Sequence, residues 1–205
     1  MKKTLELLLT TLILPGIVLA APIPESNNPK SEPTTIVQKQ SKQDQIINYA
    51  RSKIGTPYIW EGRLTNKFPG LDCLGLPYRA FSTAHNEKWY NTSKYTFTAF
   101  DNIESGALGD LVDLPSPNID STTTDALKKG DAVYFLVDFN MAVPGMEEEN
   151  IPIDTIAGKP QWSYHLTIYS GNGNIIHASP WAGEVVEEPL SNFKDEFQIL
   201  ATRRK

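Results

Sequence analysis

A single cysteine, Cys73, is the side chain of this 205-residue sequence best suited to nucleophilic chemistry. It lies in the stretch 70–76, between a loop rich in glycine, proline and aromatic residues (55–60) and a mostly apolar run that is typical of a helix. Free backbone N–H groups and the positive end of a helix stabilise a thiolate at such a junction, so the thiol is expected to ionise well below its ordinary pKa of about 8.5. The position favours a nucleophile over a buried, inert cysteine.

Two of the three histidines lie where they can serve this cysteine. Residues 164–169 alternate as a strand that carries His165, residues 170–174 contain the Asn-Gly signature of a hairpin turn, and the returning strand carries His177. Counting symmetrically from the turn makes His177 the diagonal cross-strand neighbour of His165, within reach of an imidazole ring. A histidine base held by a second polar group activates a cysteine nucleophile, which predicts Cys73, His165 and His177 as a catalytic set.

A zinc site is the rival interpretation of the same three residues, because one cysteine and two histidines can coordinate the metal. Their wide spacing lacks the close ligand pairs of zinc motifs, which favours catalysis. No cofactor or metal is expected. The third histidine, His85, is interpreted as a half-buried structural residue.

The first 20 residues are typical of a secretory signal peptide. Lys2 and Lys3 precede a short apolar run, and small residues occupy the expected cleavage positions. The run is too short and too interrupted to span a bilayer comfortably, so no stable membrane insertion is expected. Residues 21–42 are polar and proline-rich, which predicts a flexible linker. Residues 43–205 then form one domain, and the protein is expected to be periplasmic or secreted.

The charge balance excludes several classes of partner. The formal net charge is −5, and removal of residues 1–20 with two lysines and one glutamate makes it −6. No basic surface for nucleic acid or anionic membranes follows from this composition. One cysteine also excludes an intramolecular disulfide framework. A monomer that binds no nucleic acid is expected.

The predicted elements describe an α+β domain with N-terminal helices packed on an antiparallel sheet. Two helices come first, the second containing Pro77, which conflicts with a regular first turn after the cysteine. A turn at 125–131 launches the first strand, and a long irregular insertion precedes the histidine hairpin. The predicted helices span 41–54 and the segment after Cys73 to about 84. The predicted strands span 132–139, 164–169 and 175–179, and a further pair of strands is predicted at 183–187 and 197–203.

Five segments of the chain resemble the NlpC family of papain-like cell-wall cysteine peptidases. They arrive in the family's order and together cover most of 43–205. The matching segments are Ile-Gly-Thr-Pro-Tyr-Ile-Trp-Glu-Gly (54–62), Asp-Cys-Leu-Gly-Leu (72–76), Leu-Lys-Lys-Gly-Asp-Ala-Val-Tyr-Phe (127–135), His-Leu-Thr-Ile-Tyr-Ser-Gly (165–171) and Ile-Ile-His-Ala-Ser (175–179).

The resemblance implies Cys73 as nucleophile, His165 as base and His177 as orienting residue. It implies hydrolysis of an amide in the stem peptides of peptidoglycan, typically the bond between D-glutamate and the diamino acid. Tyr58 and Trp60 are implied as substrate-binding residues, with Tyr58 beside the thiol. Asp72 is implied as a third, facing the free amine of the peptide, and the Cys73 backbone N–H as an oxyanion donor.

Two departures from the family pattern keep other functions open. Leu74 stands where the family commonly has serine, and the segments 86–125 and 140–162 are longer than usual. Both departures are compatible with an amidase or acyl transferase acting on another amide or ester through the same site. A catalytically inactive module that binds wall peptide or protein is the third interpretation, and the intact set of cysteine and two histidines argues against it.

Overall fold

The computed structural model describes residues 40–87, 106–138, 154–156 and 159–205. The predicted signal peptide (1–20) lies outside this described part, as does the predicted linker (21–42) apart from its last three residues. Within those three, Ser41 and Lys42 already belong to the start of the first helix. Residues 88–105, 140–153 and 157–158 of the two predicted insertions, and residue 139 of the first predicted strand, also lie outside the described part. In the residues that are described, no helix combines the length and the apolar character needed to cross a membrane.

Two helices precede the sheet, as predicted. Helix α1, Lys42–Arg51, is capped by Ser41, whose hydroxyl accepts the Asp44 N–H at 3.0 Å. It ends before the predicted limit because residues 52–55 form a turn. Helix α2, Gly75–His85, begins two residues after the cysteine. Pro77 is its third residue, in the first turn of the helix, where a proline is tolerated.

A seven-stranded antiparallel sheet forms the body of the domain and confirms the predicted α+β class. Its strands are β1 Asp110–Leu111, β2 Ala132–Asp138, β3 Asp154–Ile156, β4 Lys159–Gly171, β5 Asn174–Ser179, β6 Glu184–Pro189 and β7 Phe197–Arg204. The strand order is β1-β7-β2-β4-β5-β6, with β3 paired to β4. A short helix, α3, Ser121–Ala126, follows β1, and a 3₁₀ helix, Leu190–Phe193, follows β6.

Three sequence predictions about this region are wrong. The strands near 183–187 and 197–203 exist, but β6 pairs with β5 and β7 pairs with β2, because each completes a different side of the sheet. The insertion predicted as irregular to residue 162 ends in the β3–β4 hairpin, and β4 begins at Lys159. The predicted turn at 125–131 starts as the last turn of α3.

The alternating strands bury both faces of the sheet. Tyr134 and Leu166 point to the face that packs against α1 and α2. Val133 and Phe135 point to the opposite face, where Phe193 of the 3₁₀ helix and the start of β7 pack. The period-two pattern of the strands therefore sends consecutive side chains to different cores.

Candidate active site

Cys73 lies in the short connection that leads into α2, held by neighbouring loops. Leu71, two residues before it, forms isolated bridges with Tyr58 and with Arg63. The thiol is 7% exposed and accepts a hydrogen bond from the backbone N–H of Leu166, the residue after His165. The structure therefore brings the thiol to the strand that carries His165.

Asp72 occupies the helix N-terminus that was expected to act on the thiol. Its Oδ1 accepts the N–H groups of Leu74 at 3.0 Å and Gly75 at 2.6 Å, and it pairs with Arg63 Nη1 at 2.5 Å. The side chain is a helix cap buried with its counter-ion, at 3% exposure for the residue. Its implied contact with a substrate amine stays a prediction.

The predicted low pKa of the thiol is wrong for this structure. Burial, and the negative charge of Asp72, raise the pKa of Cys73 to about 12. The N–H groups at the start of α2 that were expected to stabilise a thiolate are bound to Asp72 instead. At neutral pH the resting side chain is therefore a neutral thiol.

The two histidines of the hairpin meet through their rings. Strands β4 and β5 are paired from Ile168–Ile176 to Gly171–Asn174, around a turn in which Asn172 and Gly173 have positive φ angles of 53° and 76°. His165 and His177 lie just beyond this paired part, as diagonal neighbours, and the distance from His165 Nε2 to His177 Nδ1 is 2.7 Å. The predicted diagonal contact is present.

Burial governs the charge of His165. The ring is enclosed, and burial lowers the pKa of His165 well below its usual value of 6.5. The resting pair therefore consists of a neutral imidazole and a neutral thiol. Such a pair transfers its proton during attack on a carbonyl rather than before it.

Sequence reasoning missed Glu188, which extends the histidine pair. Its Oε1 lies 2.7 Å from His177 Nε2, and its Oε2 accepts the Asn192 amide at 2.7 Å. In the β5–β6 register His177 faces Val186, so Glu188 is the diagonal neighbour on the same face. The turn at 180–183 could have indicated this contact, because it joins β5 to β6. The contact was missed because β6 was predicted to pair with β7.

Sequence reasoning also missed the aromatic cover over the histidines. Trp181, in the turn between β5 and β6, lies edge-on to His165 with ring centroids 5.4 Å apart and is 49% exposed. Phe193 packs edge-on to His177 at 5.5 Å, and Phe135 stacks on His165 at 6.4 Å. These rings limit water access to the histidine hydrogen bond, which strengthens it.

The remaining predicted site residues lie in the loop before the cysteine. Tyr58 is half-buried, packs against the helix-side core and donates its N–H to the Gly183 carbonyl at 2.7 Å. Trp60 is 53% exposed. Leu74 is buried in the helix-side core, so the side chain at this departure from the family pattern contributes to packing. Among the described residues, no group of three or more histidine, cysteine or acidic side chains is arranged to hold a metal ion.

Comparison with known proteins identifies the fold. Neither a protein-family model nor a curated protein matches the sequence. Among solved structures the chain is similar to NlpC2 from Trichomonas vaginalis, with 19% identity, a TM-score of 0.53 and coverage of 82% of this chain and 49% of that one. The chain has the NlpC/P60 fold.

Two further structures are similar at the same level of identity. NlpC1 from Trichomonas vaginalis shares 20% identity over 80% of this chain and 43% of that one, with a TM-score of 0.51. The peptidoglycan hydrolase RipB from Mycobacterium tuberculosis shares 22% identity over 80% and 64%, with a TM-score of 0.48. The chain thus spans less than two thirds of each of these proteins. The likeness concerns the NlpC/P60 fold, and the chemistry must be argued from the residues.

Proposed function

We propose that this protein is an exported cysteine peptidase that hydrolyses an amide bond in peptidoglycan stem peptides, the bond between D-glutamate and the diamino acid. Cys73 is the nucleophile, His165 the base and His177 its orienting partner. The observation that carries the proposal is the 2.7 Å hydrogen bond between the two imidazoles, beside a thiol that the N–H of Leu166 contacts. A hydrogen-bonded imidazole pair next to a cysteine is suited to nucleophilic catalysis.

The reaction begins from the neutral pair. His165 accepts the thiol proton as Sγ of Cys73 attacks the amide carbon, and the Cys73 backbone N–H donates to the developing oxyanion. His165 then gives the proton to the leaving amine, which leaves a thioester on Cys73. Water, deprotonated by His165, attacks the thioester and releases the carboxylic acid and the free thiol.

The loop before the cysteine supplies the substrate contacts in this proposal. Tyr58 lies next to the connection that holds Cys73, through its bridge to Leu71, and Trp60 presents an exposed indole ring. Large, partly exposed aromatic side chains beside a nucleophile offer a surface for an extended peptide. Tyr58 and Trp60 are therefore the proposed substrate-binding residues.

An inactive wall-binding module is the second candidate, favoured by the burial of Cys73 and the raised pKa of its thiol. Both candidates bind the same peptide, but only the peptidase needs the thiol. Amidase or acyl-transfer chemistry on another substrate would use the thiol without cutting the stem peptide.

The deciding experiment incubates purified peptidoglycan with the full chain and identifies soluble products by mass. The wild type is expected to release fragments cut within the stem peptide, whereas Cys73→Ala and His165→Gln release none. His85→Gln is the matched control, since His85 lies at the end of α2 outside the site, and it should retain activity. Peptidoglycan bound but uncut by both wild type and Cys73→Ala would support the binding module and overturn the peptidase.

A further inference from the structure

Both ring nitrogens of His177 have a partner in the site. Nδ1 meets His165 Nε2 at 2.7 Å, and Nε2 meets a carboxylate oxygen of Glu188 at 2.7 Å. The ring itself is fully buried. Each of these short contacts requires one donor and one acceptor, so the partners decide where the protons lie.

The proton positions on the two histidines follow from the charge of Glu188. Glu188 is ionised at neutral pH, because hydrogen bonds from His177 and Asn192 lower the pKa of its carboxyl. A carboxylate only accepts, so Nε2 of His177 must carry a proton. In a neutral His177 ring, Nδ1 is then an acceptor, and Nε2 of His165 must donate to it. The basic nitrogen of His165 that remains is Nδ1.

The opposite arrangement would disable the base. If His177 were a cation, its Nδ1 would donate to Nε2 of His165, and the proton of His165 would move to Nδ1. No basic nitrogen would then be left on His165 to take the thiol proton. Both rings are enclosed, and the Glu188 carboxylate lies at the rim, about a quarter exposed.

We infer that Glu188 is a positioning residue, which fixes the tautomers of His177 and His165 in sequence and leaves Nδ1 of His165 as the base. This inference deepens the proposed function and rests on it. Asn192, on the 3₁₀ helix, holds the second oxygen of Glu188 and so fixes the orientation of the carboxylate. The set of orienting side chains therefore continues from β5 to β6 and the 3₁₀ helix.

Glu187 provides a matched control on the same strand. Its carboxylate accepts hydrogen bonds from Arg51 at 2.7 and 2.9 Å and from the Ser170 hydroxyl at 2.6 Å. Replacing Glu187 removes a similar charge and a similar number of hydrogen bonds without touching His177. Any effect confined to Glu188 is then due to its contacts with His177 and Asn192.

Nitrogen NMR of the histidine rings in the full chain tests the tautomers without substrate. In the wild type, His165 and His177 are both expected to be protonated at Nε2 and bare at Nδ1. Glu188→Met, which keeps length but has no acceptor oxygen, is expected to lose this fixed pattern, and Glu187→Met to keep it. A proton on Nδ1 of His177 in the wild type, or an unchanged pattern in Glu188→Met, would overturn the inference.

Kinetics separate this inference from the proposed function. With stem peptide as substrate, Glu188→Met should lower kcat by about 10- to 100-fold with little change in KM, the range typical of side chains that orient the ligands of a metal site. Glu188→Gln, which keeps an acceptor oxygen, should recover part of that loss. The expected tautomers with no peptide cleavage would overturn the proposed function and leave the tautomer assignment standing. If Glu188→Met cleaves the peptide as fast as the wild type, the proposed function stands and the positioning role of Glu188 is overturned.

Discussion

At the scale of single residues, burial decides the chemistry of the site. Cys73 and His165 are both enclosed, and enclosure moves their pKa values apart: upward for the thiol and downward for the imidazole. Their charged forms are therefore both disfavoured in the resting protein. The residue types at positions 73 and 165 were predictable from the sequence, whereas this balance was not, because it depends on which side chains surround them.

The raised pKa of Cys73 has a direct kinetic signature. Alkylation by iodoacetamide proceeds through the thiolate, so its rate in the wild type should rise about tenfold per pH unit from pH 7 to 9 without reaching a plateau. The rate is to be followed by mass of the modified chain. Asp72→Asn removes a charge that raises the pKa and should increase the rate at each pH. A plateau near neutral pH would contradict the neutral resting thiol.

At the scale of elements, the connection into α2 packs very closely against the preceding loop. A Cβ placed on Gly75 would lie 2.1 Å from the Gly62 carbonyl oxygen, and one on Gly62 would lie 2.6 Å from the backbone of Gly70. Glycine at these positions lets the two loops touch, which brings Asp72 within reach of Arg63. The sequence pattern predicted a loop and a helix here, but the contact between loops is a tertiary feature.

Gly75→Ala should therefore destabilise the domain although alanine is the better helix former. The added methyl group cannot fit beside the Gly62 carbonyl, so the loops must separate, at a cost of about 1–3 kcal/mol in the free energy of unfolding. Urea denaturation measures this cost. Thr83→Ala, at an exposed position of the same helix, is the control and should change stability by less than about 0.5 kcal/mol. Equal stability of Gly75→Ala and wild type would refute the close approach.

At the scale of the whole molecule, the sheet assembles the site from distant parts of the chain. The local hairpin was predictable, and symmetric counting about Asn172 placed His177 diagonal to His165, as observed. Glu188 and Trp181 were not identified, because their positions depend on the pairing of β6 with β5 rather than with β7. Alternation and turn residues predict strands well, but they do not determine which strands become neighbours.

Burial of a neutral histidine also makes the stability of the molecule depend on pH. Below the ordinary pKa of about 6.5 the unfolded chain binds a proton at residue 165, while the folded chain, whose His165 pKa is lowered, does not. Stability is thus present above pH 6.5 and is lost as the pH falls. Between pH 6.5 and 5, the melting temperature of His165→Gln should therefore fall by less than that of the wild type.

His85→Gln gives a graded comparison in the same measurement. Burial also lowers the pKa of His85, though less strongly than that of His165. Its replacement should flatten the pH dependence of the melting temperature by a smaller amount. Identical slopes for wild type and His165→Gln would argue against a neutral, buried His165.

The enclosure of Cys73 bears on how long the protein lasts in an oxidising environment. Peroxide attacks the thiolate, and the first product, a sulfenic acid, leads on to irreversible sulfinic and sulfonic acids. A thiol that is 7% exposed and protonated at neutral pH offers such oxidants little to attack. In the proposed mechanism, the thiolate exists only while His165 withdraws the proton toward a bound substrate. The burial of the sole cysteine of the chain therefore protects it from oxidation, and in that mechanism the same burial makes its activation depend on the histidine.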